Sequence, residues 1–192
     1  MNYTANLAIE DATLRLPSGQ HATLRRARPQ DAPLAQAFVR GLSPRTQRRR
    51  FHGRLPALGL AALTSNGAAA AGASSHRQQA LVVTVQECGQ DRLVADARFV
   101  LEGDGRDAEF AIVVSDSLRR QGLGRALMLA LQQAANQAGV RWLHGEVHDD
   151  NPAMLTLMLS LGFTPVRRDE AAGLVVFEQR VGGHTAGPTR AC

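Results

Sequence analysis

At 192 residues and 44% hydrophobic content, the chain is long enough for one ordinary domain with a real core. Its formal charge is +5, yet all 22 basic residues are arginine and spread along the chain, so a nucleic-acid patch is disfavoured and the sequence has no lysine side chain of its own to modify. Cys88 and Cys192 give neither a disulfide framework nor metal-ligand spacing, no apolar run is long enough to cross a membrane, and MNYTANLAIED lacks signal-peptide shape, which together predict a reducing, cytoplasmic setting.

Residues 1–20 read ambiguously, as a partly ordered segment, before HATLRR (His21–Arg26) alternates like a short strand. RPQDAPLAQAFVRGLS predicts a helix with Asp31 as N-cap, apolar spacing at Leu34, Ala37 and Phe38, and Gly41 at its end. Ser43 and Pro44 open a second, short helix that carries Arg48, Arg49 and Arg50 and ends near Phe51–Gly53. From Leu55 to Gln79 the chain is rich in Ala, Gly and Ser; LPALGLAALTS is expected to be helical and NGAAAAGASS a loop. QALVVTVQE, LVADARFVLE and AEFAIVV are strands separated by tight turns, an antiparallel meander. A long helix to about Ala138 follows, with Leu123, Leu127, Leu131, Ala134 and Ala138 on one face. Then come the strand VRWLHGEV, a helix opened by Asn151–Pro152, and the strands FTPVRR and GLVVFEQRV. The tail from residue 182 onward is polar and expected to be disordered. One strand–helix–strand crossover inside an otherwise antiparallel order predicts an α+β fold, and a doubly wound dinucleotide fold lacks its repeats.

The turn before the long helix, SLRRQGLGRA, has the register Arg119-x-x-Gly122-x-Gly124. A helix mouth offers unpaired N–H groups and a positive dipole end, glycines admit a close ligand, and arginines chelate phosphate oxygens. Alone, such a turn is equally compatible with solvated arginines. Its surroundings add weight. R/Q-x-x-G-x-G between strand and helix resembles the acetyl-CoA pyrophosphate loop of the GNAT superfamily of N-acetyltransferases, and NPAMLTLMLSLGF resembles that family's N-x-x-[AM]-x-x-L-x-x-x-x-G-F segment. LRRARPQDAPLAQAFVRGLSPRTQRRRF and AEFAIVVSDSLRRQGLG further resemble the GNAT domain of bacterial protein lysine acetyltransferases.

The resemblance implies a GNAT fold over residues 21–181: a twisted, mostly antiparallel sheet flanked by about four helices. It implies acetyl-CoA as co-substrate, no metal, and an amine acceptor, first a protein lysine and alternatively a small amine; a non-catalytic acyl-CoA sensor is the rival. The expected assembly is a monomer or homodimer. Main-chain groups of Ile112 and Val114 should pair with the pantetheine like an extra strand. Amides of Gln121, Gly122, Leu123 and Gly124, with Arg119, Arg120 and Arg125, should hold the pyrophosphate, and Asn151 the pantetheine. Glu109 stands where the resembling enzymes keep a catalytic glutamate, to take the proton that an ammonium must lose. Set among Ala108, Phe110 and Ile112, its carboxylate is expected to be desolvated; Glu146 and His148 are runner-up bases. Many GNAT enzymes place a tyrosine acid seven residues after the asparagine, but that place is Met158, with Ser160 a weak substitute.

Overall fold

Alternating apolar residues pair the central strands so tightly that Leu81, Val83, Ala95, Ala97 and Phe99 lose all solvent contact. In the computed structural model, which describes residues 11–51 and 78–182, the strands β1 (Ala12–Arg15), β2 (His21–Arg26), β3 (Gln78–Glu87), β4 (Gln90–Glu102), β5 (Asp107–Val114), β6 (Trp142–His148), β7 (Thr164–Asp169) and β8 (Leu174–Arg180) form one sheet. Its order is β1-β2-β3-β4-β5-β6-β8-β7. Every pairing is antiparallel except β5 with β6. Among the described residues four α-helices flank it: α1 (Ala32–Gly41), α2 (Pro44–Phe51), α3 (Leu123–Gln137) and α4 (Pro152–Ser160). The architecture is α+β, as the element order predicts. No described helix is long and apolar enough to cross a membrane.

Two cores lie on opposite faces of the sheet. Helix α3 buries Leu123, Leu127, Met128, Leu131, Ala134 and Ala135 against the larger one. Helix α1 covers the other with Ala35, Phe38, Val39 and Leu42 around Val82, Leu93 and Val113. Fully burying a Leu or Phe contributes about 1.5–3 kcal/mol, so these faces hold both helices down.

Several boundaries differ from the expectations. β1 lies inside the ambiguous segment and pairs with β2, so the sheet begins ahead of His21. Ala37 is exposed, and the buried face of α1 runs through Ala35 and Val39 instead. Ala138 is the exposed C-cap of α3, not part of its apolar face. Asp31 makes no side-chain cap bond. Its carboxylate turns back to accept from the Arg28 amide at 2.7 Å and from both terminal nitrogens of Arg25, each at 2.7 Å. The expected helix in LPALGLAALTS, the NGAAAAGASS loop and the polar tail from residue 183 lie outside the described residues.

Candidate functional site

β5 and β6 run parallel for only three pairs, Asp107–Trp142, Ala108–Leu143 and Glu109–His144, and then part. Phe110 lies over Gly145 at this point and packs on Phe163, ring centroids 5.3 Å apart. A Cβ on Gly145 would meet the Phe110 ring at 2.8 Å, so only glycine fits beneath the ring. Gly145→Ala is expected to cost about 1–3 kcal/mol through overpacking and to distort the gap between the strands. Thermal unfolding checks it; an unchanged midpoint would show that the ring swings aside freely.

Beyond the parting lies a cleft of about 780 Å³. One wall is the turn from Val114 into α3. After a single 3₁₀ turn at Asp116–Leu118, Arg120 (φ 59°) and Gly122 (φ 86°) both adopt left-handed backbone, which aims successive amides outward. Among the described residues, no amide from Arg119 to Gly124 donates a backbone hydrogen bond. These are the orphan donors of a helix start, with the positive dipole end behind them. Gly124 lets α4 come close, since a Cβ there would already touch Leu157 at 3.4 Å. The Gln121 side-chain oxygen is buried without a hydrogen-bond partner among the described residues.

The three arginines divide. Arg120 is exposed, whereas Arg125 donates to Ser160 Oγ at 3.1 Å. Arg119 pairs with Asp116 at 2.9 Å and donates to the Thr46 hydroxyl. Asp116 also accepts from the Ser43 amide (3.0 Å) and the Thr46 hydroxyl (2.7 Å), which ties the start of α2 to the turn. Burial raises the Asp116 carboxyl, but the hydrogen bonds from Ser43 and Thr46 and the charge of Arg119 outweigh it and hold it below the usual range. On the other lip, Arg49 and Arg45 of α2 pair with Asp150 at 2.9 and 3.2 Å. Helix α2 therefore spans the cleft, fastened on both sides.

Glu109 is only 5% exposed, and its alternation with Phe110 puts it on the α2 face of β5. The apolar surroundings expected for it are on the other face. Its own face carries Asp96 and Arg98 of β4 and Arg50 of α2, all buried. Arg98 chelates Asp96 through contacts of 2.7 and 3.1 Å, and Arg50 stands 3.8 Å from Asp96. Burial pushes the Arg50 guanidinium down to about 10; Asp96 opposes that shift, Arg98 adds to it and Glu109 opposes it. Two arginines and two carboxylates balance here, the arrangement that makes buried charge tolerable. Arg48 alone of the basic run is fully on the surface.

The cleft thus brings together Glu109, Ile112, Val114, Arg119, Arg120, Gly122, Gly124, Arg125 and Asn151. Gln121 lies half-buried outside its lining, and Leu123 turns its side chain into the main core. Met158 is fully buried in that core and does not reach the cleft, while Ser160 is exposed beyond it. Sequence reading missed Asp96, Arg98, Asp116 and Asp150. The signal for the first two was present, since charges at alternate positions interrupt the apolar strand LVADARFVL.

The family model described as "Acetyltransferase (GNAT) family" matches residues 56–163, more than half of the chain. Acetyltransferase Pat of Mycolicibacterium smegmatis is 42% identical over 87 residues, 45% of this chain and 26% of Pat. An acetyltransferase of Pseudomonas aeruginosa is 27% identical over 161 residues, 84% of each chain. Among solved structures, the GNAT domain of S. lividans PAT superposes with TM-score 0.72 at 22% identity, over 92% of this chain and 99% of that domain. A cAMP-binding acyltransferase from Mycobacterium smegmatis gives 0.59 at 28% identity, over 94% of this chain and 50% of that one. The chain thus spans about a quarter of Pat and half of the cAMP-binding enzyme. With its sheet parted at Glu109 and a matching sequence signature across the same region, the chain belongs to the GNAT family of acetyltransferases.

Proposed function

We propose that the chain transfers an acetyl group from acetyl-CoA to an amine, with a protein lysine as the favoured acceptor. The observation that carries this reading is one cleft holding both a row of unpartnered amides at a helix start and a buried carboxylate. Acetyl-CoA would supply an activated thioester carbonyl. The free amides from Arg119 to Gly124 suit its diphosphate, aided by Arg120 and, after exchange of their present partners, Arg119 and Arg125. Backbone groups of Ile112 and Val114 line the gap where β6 no longer pairs, which suits an extended pantetheine arm, and Asn151 faces the same gap. The amine nitrogen attacks the carbonyl carbon, the carbon–sulfur bond breaks, and Glu109 takes the nitrogen's proton. An amide near Ile112 would hold the developing oxyanion. A CoA thiol is acidic enough to leave with a proton from water, in keeping with a methionine at the tyrosine's place. The lysine preference is supported by the R-P-x-D and A-E-F-A motifs shared with protein lysine acetyltransferases, and by the Pat relative.

The test incubates lysate from a strain lacking this protein with the enzyme and labelled acetyl-CoA. Discrete labelled protein bands are expected, and label confined to small amines would sink the protein acceptor. Gly122→Ala adds a check on the diphosphate site. A side chain at φ 86° is strained by about 1–2 kcal/mol, so the KM for acetyl-CoA should rise several-fold while the acceptor KM holds.

A further inference from the structure

On β5, Phe110, Ile112 and Val114 look toward the α3 side of the sheet, opposite to Glu109, and all three line the cleft. Glu109 and His144 form the last pair before the strands part, so Phe110 is the first unpaired residue on β5 and Gly145 the first on β6. The Phe110 ring reaches across to Gly145, with three carbons at 2.8, 2.8 and 3.0 Å from where a Cβ would stand. It therefore lies across the gap at its closed end. Phe163, 2% exposed, backs the ring at a tilt of 57° and leaves it no room to sink into the core. Phe110 is itself buried, yet it belongs to the cleft lining, as a floor held from behind. The two sides of the gap differ in character. Glu109, Arg50, Glu146 and His148 line the cleft on the α2 side, whereas Val147 and Leu157 line it on the α3 side. An apolar chain on the charged side would strip water from ionic groups, so only the α3 side suits it.

We infer that Phe110 sets the acyl-chain limit of the donor, admitting an acetyl or propionyl group and excluding butyryl and longer chains. This rests on the acetyl-transfer reading given above and deepens it, since it names which thioesters the cleft accepts. With the carbonyl near Ile112, the ring two residues back lies about 6.6 Å away along the strand. An acetyl methyl stands about 1.5 Å from its carbonyl carbon, and a carbon–carbon contact of about 3.5–4.0 Å still fits inside that span. A butyryl chain carries its last carbon about 3.9 Å out, and the same contact then overruns the ring. The ring cannot yield toward Gly145, which it already touches, nor toward Phe163 behind it. Gly145 thus has a second consequence: by admitting the ring beneath it, the glycine lets one side chain close the gap between both strands. A shorter side chain at position 110 would leave the floor open.

Calorimetric titrations of acetyl-CoA and of butyryl-CoA into the full chain test this without an acceptor. Wild type should bind butyryl-CoA about tenfold or more weakly than acetyl-CoA, the range of a misfit methylene in an apolar pocket. Phe110→Leu keeps an apolar side chain of shorter reach, and it should bring the two affinities within about threefold by tightening butyryl-CoA. Each result is a ratio within one protein, so a partly unfolded sample changes neither. Phe38→Leu, the same change in the core on the other face of the sheet, should keep the wild-type ratio. Equal affinities in wild type, an unchanged ratio in Phe110→Leu, or the same narrowing in Phe38→Leu would overturn the assignment. Labelling of lysate proteins by the wild-type sample reads the reaction separately. Absence of transfer there would remove the proposed chemistry, and the ratio of affinities would still decide the role of Phe110.

Discussion

Replacing Glu109 by Gln is expected to slow acetyl transfer by about 10²–10⁴-fold, the contribution of one positioned general base. The amide nearly matches the carboxylate in shape, and the Arg119–Gly124 amides proposed for the diphosphate belong to a different segment, so affinity for CoA should hold. A variant that loses CoA affinity in step with rate would instead indicate collapse of the buried Arg50, Asp96 and Arg98 group. Removing one member of a balanced charge set leaves another uncompensated. A variant that keeps full rate would pass the role of base to another group on the cleft wall.

The second large effect lies far from the cleft. Asp31 and Arg25 are 1% and 6% exposed and are joined by two bonds of 2.7 Å. Asp31→Asn leaves the guanidinium buried without its charge partner, which costs about 3–5 kcal/mol. For a chain of this size that corresponds to a fall in Tm of about 10 °C or more. The effect should fade in acid. Burial raises the Asp31 carboxyl, but the Arg25 guanidinium and the Arg28 amide outweigh it, and its folded pKa falls below the ordinary value. A depressed carboxylate pKa contributes stability fully above its unfolded value near 4, and that contribution drains away as pH falls further. Urea midpoints of wild type and Asp31→Asn should therefore converge between pH 7 and pH 3. A gap that stays constant would show that the pair's charge is not what stabilises this corner.

These two residues also mark how far the amino-acid pattern could be read. Asp31 was visible as a helix-start residue because aspartate precedes an apolar run, and local capping rules govern that position. Its real partner, Arg25, sits on the preceding strand, and only tertiary packing brings a strand arginine back to a helix entrance. The face on which Glu109 stands was legible, since strand alternation fixes which neighbours share its side. Its surroundings were not, because Asp96 and Arg98 come from β4 and Arg50 from α2, and registers between strands are invisible in one chain. The glycine turn was legible as a turn between strand and helix. Its backbone freedom and its place at a helix start are both local properties. Arg119 was read as a ligand for phosphate, yet at rest it is held by Asp116 and Thr46, contacts more than 70 residues apart in sequence for the latter. β1 escaped notice because four residues with alternating half-burial carry too weak a period.

The parted strands also bear on how the sheet avoids pairing with other chains. An unpaired strand margin is a template for another chain, and sheets ordinarily blunt such margins or cover them. Here the segment 110–114 of β5 is paired to β4 on one side and released by β6 on the other. That leaves an open margin in the middle of an eight-stranded sheet, not at its rim. At about 3.3 Å per residue it is roughly 17 Å long, and neighbouring strands need about 4.8 Å of lateral room. The β6 wall and the overlying α2 limit access from the flank, so a foreign β-strand cannot add edge to edge. Only a slender guest entering lengthwise can use those hydrogen-bonding groups, and the protein keeps an adhesive surface without exposing it to its own copies.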